Sequence, residues 1–420
     1  MNKYWLLIYN ILIIPILWVL FNVSAVFNTK IRQGLSGRKN QKFPVFPKGQ
    51  KVVLIHSSSL GEYQQALPLV EEFLQLNYKI ILSFFSPSGF INAKIQNENV
   101  TKLYLPLDSY WNIKKFIESI NPEILVLMRY DLWLNLLFIC DKKKIDIVLA
   151  NARFDENDKF WDFFISRSFK KSLYGYVKKI FVIDDQDEAS YKKLLPSAEV
   201  IKVGDSKFER VYEASKKITK KDVLPYNIIK NKKIFVIGSS WKQDEDVILP
   251  VINKIVKFEK DLLTILVPHE PKETKIKKIE SNIENNYKNL SYIRYSDINN
   301  YKGQNLIIID CIGKLLNLYS VASISYVGGG FKSGLHNVLE PAIFNIPVLF
   351  NNLVKNSDED EMMIKYGCGI IINDKSQFYR VMRNLLKDKK LRIEIGEKCK
   401  DLFKETLGTA KKIIKNITKK

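Results

Sequence analysis

The stretch best suited to chemistry is glycine-rich: Val327–Pro341 reads V-G-G-G-F-K-S-G-L-H-N-V-L-E-P. It follows a short apolar run, Ser323–Val327, which predicts a buried parallel strand. Three successive glycines remove every Cβ from the turn, so amide N–H groups can approach a ligand closely. We expect a helix to begin after Gly334, and its free N–H groups suit a phosphate.

Two side chains of this stretch extend the prediction. His336 lies at the expected start of the helix, and Glu340 lies one turn further on, where a carboxylate can accept hydrogen bonds from ribose hydroxyls. A glycine turn capped by Asn337, with no ligand, explains the same residues. The surrounding elements have to decide between these interpretations.

A second candidate is Glu62. The apolar run Lys51–His56 is followed by S-S-S-L-G-E (Ser57–Glu62) and then by apolar residues at helical spacing. This pattern predicts strand, turn and amphipathic helix, with Glu62 at the carboxyl end of the strand, the edge where open α/β sheets bind ligands. A carboxylate at this edge can serve as a general base. A Glu in the first turn also stabilises a helix dipole without any chemistry.

Strand and helix patterns alternate along the whole chain. Short apolar runs predict further strands, at 79–85, 124–128, 146–151, 179–183, 200–203, 234–238, 262–267, 306–310 and 347–350. Such alternation indicates parallel sheets covered by helices on both faces. The fold class is therefore α/β, with two Rossmann-like doubly wound domains, and a ligand cleft is expected between them.

The domain boundaries follow from composition. Residues 1–28 form an apolar segment, 29–210 a first α/β domain and 234–420 a second with C-terminal helices. Residues 211–233 are lysine-rich, contain Pro225 and lack a strong apolar period, which indicates a linker.

The apolar segment Tyr4–Asn28 carries no charged residue and is long enough to cross a bilayer. Basic residues follow it at once, which predicts a single membrane anchor with the body in the cytoplasm. A cleaved signal peptide is the rival, since Val23–Ala25 resembles a cleavage site, but the run is long and the leading charge weak. A helix lying in the interface is the other possibility.

The net charge of +21 favours an anionic partner, here an anionic membrane face or a phosphorylated substrate. Lysine is spread over the whole chain, so compositional drift also explains part of this charge. No nucleic-acid recognition motif is present. The four cysteines follow no metal or disulfide spacing, which indicates reduced thiols, and with three histidines we expect no metal site.

A series of motifs then occurs in order along the chain. They are S-S-S-L-G-E, S-P-S-G (86–89), Y-L-P-L-D (104–108), D-L-W-L-N-L (131–136), N-A-R (151–153), V-G-D-S-K-F (203–208), G-S-S (238–240), V-P-H-E-P (267–271), D-C-I-G-K-L (310–315) and the glycine-rich stretch. Together with the apolar N-terminus they resemble the 3-deoxy-D-manno-octulosonic acid (Kdo) transferases of lipopolysaccharide synthesis. The resemblance covers nearly the whole chain.

The resemblance implies a GT-B glycosyltransferase that uses CMP-Kdo as donor and a lipid A precursor as acceptor, with inversion and with neither cofactor nor metal. Glu62 matches the catalytic base of the family. The segments that hold CMP match Pro268 and His269, Ile312, Gly313 and Lys314, and Asn337, Val338, Leu339 and Glu340. From their positions in the sequence we add Gly328, Gly329, Gly330 and His336.

Some positions depart from the family pattern. Lys314 replaces a Glu, Arg129-Tyr130-Asp131 replaces an acidic-Thr-acidic run, and Pro268-His269-Glu270 replaces Pro-Arg-His. Arg129 either pairs with Asp131 or meets an anionic substrate group, and we favour the pair. A different GT-B enzyme, using a UDP- or GDP-sugar on a lipid acceptor, is the alternative function. A membrane-tethered binding protein without chemistry would not need Glu62.

Overall fold

Two seven-stranded parallel sheets organise the protein, and each belongs to its own compact unit. The computed structural model describes residues 2–155, 158–218, 223–354 and 359–418. The first unit contains Met1–Arg210 together with Thr406–Lys420, and the second contains Val211–Glu405. The predicted α/β class with two doubly wound sheets is confirmed.

The first sheet has the order β3-β2-β1-β4-β5-β6-β7. Its strands are β1 Val52–Ser57, β2 Lys79–Phe84, β3 Val100–Tyr104, β4 Ile124–Met128, β5 Asp146–Ala152, β6 Lys179–Val182 and β7 Glu199–Lys202. β1 and β4 are buried along their whole length because helices cover both faces of the sheet. From β1 the strands are added outward in one direction (β2, β3), and from β4 they are added in the other (β5 to β7). The carboxyl ends of β1 and β4 therefore form a topological switch point.

The second sheet has the order β10-β11-β9-β8-β12-β13-β14. Its strands are β8 Lys233–Ser240, β9 Leu262–Pro268, β10 Tyr292–Arg294, β11 Leu306–Ile308, β12 Ile324–Val327, β13 Val348–Phe350 and β14 Gly369–Ile371. Here the switch point lies between β8 and β12, so the glycine-rich stretch leaves the sheet at its ligand-binding edge.

The helices connect the strands in the order expected for doubly wound units. They are α1 Asn2–Ile8, α2 Ile14–Phe27, α3 Thr29–Asn40, α4 Leu60–Gln75, α5 Pro87–Asn92, α6 Tyr110–Ile120, α7 Leu134–Lys142, α8 Phe164–Tyr174, α9 Asp185–Leu194, α10 Ser206–Lys216, α11 Tyr226–Ile229, α12 Lys242–Ile255, α13 Glu273–Asn286, α14 Leu315–Tyr319, α15 Leu339–Ala342, α16 Glu359–Tyr366, α17 Lys375–Lys387, α18 Lys389–Thr406 and α19 Thr409–Thr418. A π-helical turn, Tyr9–Ile13, joins α1 to α2.

Two sequence-based boundaries differ from the structure. Thr406–Lys420 belongs to the first unit and not to the second, because α19 packs its apolar face into the first core. The predicted linker 211–233 contains the end of α10 and all of α11, while its residues 219–222 lie outside the described residues. The strands β3, β10 and β14 were not predicted; each is a sheet edge, where burial is incomplete and the apolar pattern weak.

Candidate active site

In the first unit, Glu62 lies in the first turn of α4, at the carboxyl end of β1. The hydroxyl of Ser59 caps the helix by accepting a hydrogen bond from the Glu62 N–H at 3.3 Å. The backbone N–H of Ser58 donates to Oε2 of the Glu62 carboxylate. Within the described residues Oε1 has no hydrogen bond, so one carboxylate oxygen is held while the other is available to a substrate.

A polar network lies beside this carboxylate at the switch point. Oδ2 of Asp131 lies 2.8 Å from Nε2 of the buried His56, and it also accepts a hydrogen bond from the Ser58 hydroxyl. The other ring nitrogen of His56 lies 2.9 Å from the Ser83 hydroxyl. His56 is thus held from both sides as a structural histidine that orients Asp131. Ser58 joins Asp131 to Glu62 through its hydroxyl and its N–H.

The pKa values of Glu62 and Asp131 are shifted in opposite directions. Burial raises the pKa of Glu62, and the neighbouring charge of Asp131 raises it further against the opposing Ser58 N–H, His56 and Arg129. Burial also acts to raise the pKa of Asp131, but the hydrogen bonds and charge of His56, with Ser58, outweigh it and hold that pKa below its usual value. Paired carboxyl groups with pKa values moved apart are typical of acid–base sites.

The family-like motifs of the first unit meet behind this network. Arg129 has a positive φ of 63° and donates from Nε to the Gln65 side chain at 3.3 Å. The carbonyl of Gln65 accepts from the Ser206 hydroxyl at 2.6 Å, and that hydroxyl accepts from Asn151 at 2.5 Å. The described contacts of Arg129 therefore run to Gln65, and the predicted pair with Asp131 does not form.

Other motif residues are structural. Asp108 is buried and caps α7 by accepting from the N–H groups of Asn135 and Leu136 at 2.9 and 3.0 Å. Trp133 is partly buried and stacks on Phe85, with ring centroids 4.9 Å apart. These contacts fix the ends of β2, β3 and β4 around Glu62.

In the second unit, the three glycines of the stretch are required by the protein's own backbone. A Cβ on Gly328 would lie 2.4 Å from the Ser239 carbonyl oxygen, and one on Gly330 would lie 1.4 Å from that of Asn351. Gly329 has a φ of 99°. Close packing against neighbouring strand ends therefore accounts for these glycines, and their role in binding a ligand stays a prediction.

Asp244, in the first turn of α12, holds this loop and was missed by the sequence analysis. Its Oδ2 accepts from the N–H groups of Gly329 and Trp241 at 3.0 and 2.9 Å, and its Oδ1 accepts from the Tyr326 hydroxyl at 2.8 Å. The Gly328 N–H donates to the Gly238 carbonyl. Two of the three glycine amides are thus occupied within the protein. An acidic residue three positions after a helix N-cap was the available signal.

The helix predicted after Gly334 is shorter than expected. α15 begins only at Leu339 and forms a single turn, so its dipole is small. Asn337 caps it by accepting from the Leu339 N–H at 3.1 Å, and its amide donates to Glu340 at 3.1 Å. Val338 and Leu339 are buried, so their side chains support the turn.

A stack of three rings lies next to this loop. The His269 ring packs against both Trp241 and His336, with ring centroids 4.7 and 4.4 Å away. The indole N–H of Trp241 donates to Nε2 of His336 at 3.1 Å. That nitrogen therefore carries no proton, and Nδ1 carries it in the neutral ring. Burial, with a smaller effect of His269, lowers the pKa of His336 to about 4.

The remaining predicted donor residues lie at neighbouring strand ends. Gly313 has a φ of 84°, and beside it Ile312 exposes 84% of its surface. Lys314 precedes α14 and lies over the Tyr295 ring at 5.7 Å. Pro268 ends β9 and lines a cavity of about 560 Å³ together with Trp241.

Comparison with known proteins supports the family resemblance. Residues 31–210 match the family model described as 3-deoxy-D-manno-octulosonic-acid transferase. The 3-deoxy-D-manno-octulosonic acid transferase of Haemophilus influenzae is 26% identical over 95% of this chain and 94% of its own. A bifunctional glycosyltransferase/methyltransferase of Fusobacterium nucleatum is 28% identical over 92% of this chain, which spans 60% of that protein's length.

Solved structures agree on the fold. UDP-GlcNAc 2-epimerase from Neisseria meningitidis superposes with a TM-score of 0.62 at 12% identity, covering 88% of this chain and 100% of that one. MurG of Acinetobacter baumannii gives 0.53 at 11% identity, with 88% and 100% covered. At these identities the likeness shows the fold alone, which is of the GT-B type. Residues 31–210 thus match a model of the Kdo transferase family, and the similarity to transferases of that name extends over most of the chain.

Proposed function

We propose that the protein transfers Kdo from CMP-Kdo to the glucosamine disaccharide of a lipid A precursor, lipid IVA, and releases CMP. The observation that carries this proposal is the environment of Glu62: a carboxylate at the switch point of the first sheet, anchored through one oxygen and raised in pKa. A base with a raised pKa takes a proton more readily near neutral pH.

The proposed step is an inverting displacement. The acceptor hydroxyl oxygen attacks the anomeric carbon of Kdo while Glu62 takes the hydroxyl proton. The bond from that carbon to the phosphate oxygen breaks, and CMP leaves with the electron pair. Negative charge grows on the phosphate, so cationic and N–H groups that stabilise it lower the barrier. We assign no metal or cofactor to this step.

We assign donor binding to the second unit. His336 is neutral with its proton on Nδ1, so it can donate a hydrogen bond without adding charge. Lys314 supplies a cation where the family carries a Glu, and exposed Ile312 offers an apolar surface to a base. Asn337 and Glu340, already paired with each other, present polar groups for the ribose. Pro268 and His269 complete the set, supported by the glycine loop.

The site and its substrate suggest the location. A lipid acceptor requires access to a membrane, and Tyr4–Phe27 is long and apolar enough to provide an anchor. We therefore place the protein at the inner membrane, with its body in the cytoplasm. The anionic surface of that membrane suits the net charge of +21.

The test is a transfer assay with full-length protein, freshly generated CMP-Kdo and lipid IVA. We expect a lipid product heavier by one or more Kdo units. Glu62→Gln keeps the size of the side chain but removes its basicity, so product formation should fall at least 100-fold, the lower end of general-base contributions. Glu71→Gln, at an exposed position of the same helix, is the matched control and should retain activity. An active Glu62→Gln enzyme would refute the base, and transfer from a UDP-sugar instead would refute the donor.

A further inference from the structure

One face of the N-terminal apolar segment packs against the first unit over most of its length. Trp5 donates from its indole N–H to the Ser168 hydroxyl at 3.2 Å and lies edge-on against Phe169 at 5.1 Å. Tyr9 is 5% exposed and belongs to the core of the unit. Near the other end, Phe21 contacts Phe85 at 5.8 Å. The segment is thus docked on the domain along its axis.

A polar pair fixes the middle of the docked segment. The side chains of Asn10 and Asn135 exchange hydrogen bonds of 2.9 and 3.0 Å. Asn135 is fully buried, and Asn10 lies within the π-helical turn that precedes Pro15. Pro15 has no N–H to donate to the preceding turn, which explains the local widening of the helix. An asparagine that would be costly in lipid is here satisfied by the protein.

The opposite face of the segment is apolar and exposed. Leu7, Ile11, Leu12, Ile16, Val23 and Val26 each expose more than half of their surface. An exposed apolar surface of this extent marks contact with a membrane or another protein. A helix that crossed a bilayer would need lipid around its whole circumference over about 20 residues. The docked contacts leave only one face available.

Charge identifies the partner of this face. The first 61 residues contain eight lysine and arginine residues and no aspartate or glutamate, since Glu62 is the first acidic residue of the chain. A second copy of the same surface would be repelled by this charge. A bilayer surface with anionic lipids would be attracted by it and would also cover the apolar side chains.

We propose that Tyr4–Phe27 lies in the plane of the membrane surface, docked on the first unit by one face and inserted into the headgroup region by the other. The inference rests on the proposed membrane location but not on the proposed reaction. Because Phe21 touches Phe85, which stacks on Trp133 near Asp131, the same helix holds the site of Glu62 close to the lipid headgroups. The acceptor sugar is then reached without withdrawing the lipid from the bilayer.

Depth measurements distinguish an in-plane helix from a spanning one. Leu12 and Val23 are both exposed and lie 11 residues apart, close to three whole helical turns, so they share one face. Single cysteines at these positions, in a Cys311→Ser background, are spin-labelled in full-length protein bound to phosphatidylethanolamine–phosphatidylglycerol vesicles. An in-plane helix gives equal depths. A spanning helix separates the two labels by about 16 Å along the membrane normal and overturns the proposal.

Two further results complete the test. A label at Lys192→Cys, an exposed site on α9, is the control and should remain in water. If neither helix label enters the bilayer, the in-plane proposal fails together with the membrane location, whereas transfer to a detergent-dispersed acceptor still tests the reaction separately. Light scattering would then show whether the face joins two copies.

The docking itself is tested by Asn10→Leu. This change makes the segment more apolar but removes the hydrogen-bond partner of buried Asn135. If the helix is docked, the substitution should therefore lower the melting temperature of the membrane-bound protein. Asn22→Leu is the matched control, since the Asn22 amide donates to the Trp18 carbonyl of its own helix. An unchanged melting temperature in Asn10→Leu would contradict the docking.

Discussion

Trp241→Phe probes the ring stack of the second unit with little change in shape. Phenylalanine keeps an aromatic ring against His269 but cannot donate the 3.1 Å hydrogen bond to Nε2 of His336. That bond exists only while Nε2 is unprotonated, so it stabilises the neutral form of His336 and contributes to its low pKa. Removing the bond should therefore raise the pKa of His336 from its value of about 4.

The size of the change follows from the strength of one hydrogen bond. A typical intramolecular bond contributes about 0.5–1.5 kcal/mol, and one pKa unit corresponds to about 1.4 kcal/mol. We therefore expect the pKa of His336 to rise by about half a unit to one unit. It should remain below the usual histidine value because burial and the neighbouring His269, which also lower this pKa, are unchanged. With the tautomer no longer fixed, CMP should bind about two- to tenfold more weakly.

Nitrogen-15 NMR of histidine-labelled protein measures both effects. In wild type the His336 ring should show a protonated Nδ1 and an unprotonated Nε2, and a pH titration gives its pKa. Calorimetry with CMP gives the affinity. Trp111→Phe, at an exposed position in the first unit, is the control. If Trp241→Phe leaves both the His336 tautomer and its pKa unchanged, the indole does not set the protonation of this ring and our reasoning is wrong.

Three other changes have defined outcomes. Asp131→Asn removes a negative charge that raises the pKa of Glu62, so the acidic limb of the pH–rate profile should move to lower pH. Asp244→Asn weakens the hydrogen-bond acceptor that holds the Gly329 N–H. Thermal denaturation should therefore show a free energy of unfolding lower by about 1–3 kcal/mol, and CMP should bind more weakly. Gly330→Ala places a Cβ 1.4 Å from a backbone oxygen, so the second unit should not fold. Circular dichroism should show this as a loss of secondary structure.

Matched substitutions make these results interpretable. Asp141→Asn, on the exposed surface of α7, should leave the pH–rate profile in place. Asp246 lies on the same helix as Asp244 but pairs with exposed Lys242. Asp246→Asn should therefore lower the free energy of unfolding by well under about 1 kcal/mol. A Cβ on Gly61 would lie 3.9 Å from a side-chain oxygen, an ordinary contact, so the Gly61→Ala protein should fold normally. Equal effects of a substitution and its control would contradict the corresponding contact.

Most of the fold follows from local patterns in the sequence. Central strands such as β1 and β4 are continuous apolar runs because both faces are covered, and short runs of this kind were predicted nearly to the residue. The edge strands β10 and β14 have three residues each, too few to show a period. The return of α19 to the first unit could not be predicted, since an amphipathic helix does not reveal which core its apolar face will join.

The site was predictable only in part for a similar reason. Glu62 stood out because its position after a strand is visible locally. Asp244 did not, because its role depends on a bond to Gly329, which is 85 residues away. The bond from Trp241 to His336 spans 95 residues. Sequence motifs marked the loops that meet at each sheet edge, while the contacts between those loops required the structure.

The path of the chain through the first unit affects how the protein is made. Ala410, Ile413, Ile414 and Ile417 of α19 complete the core that also contains Ala66, Leu69, Val70 and Phe73 of α4. Synthesis proceeds from the N-terminus, and domains generally fold as they emerge. Here the ribosome has released the whole second unit before α19 exists, so an apolar face of α4 stays uncovered during most of translation. The unit that begins the chain is the last to finish folding, and a fragment ending at residue 210 would keep that face exposed.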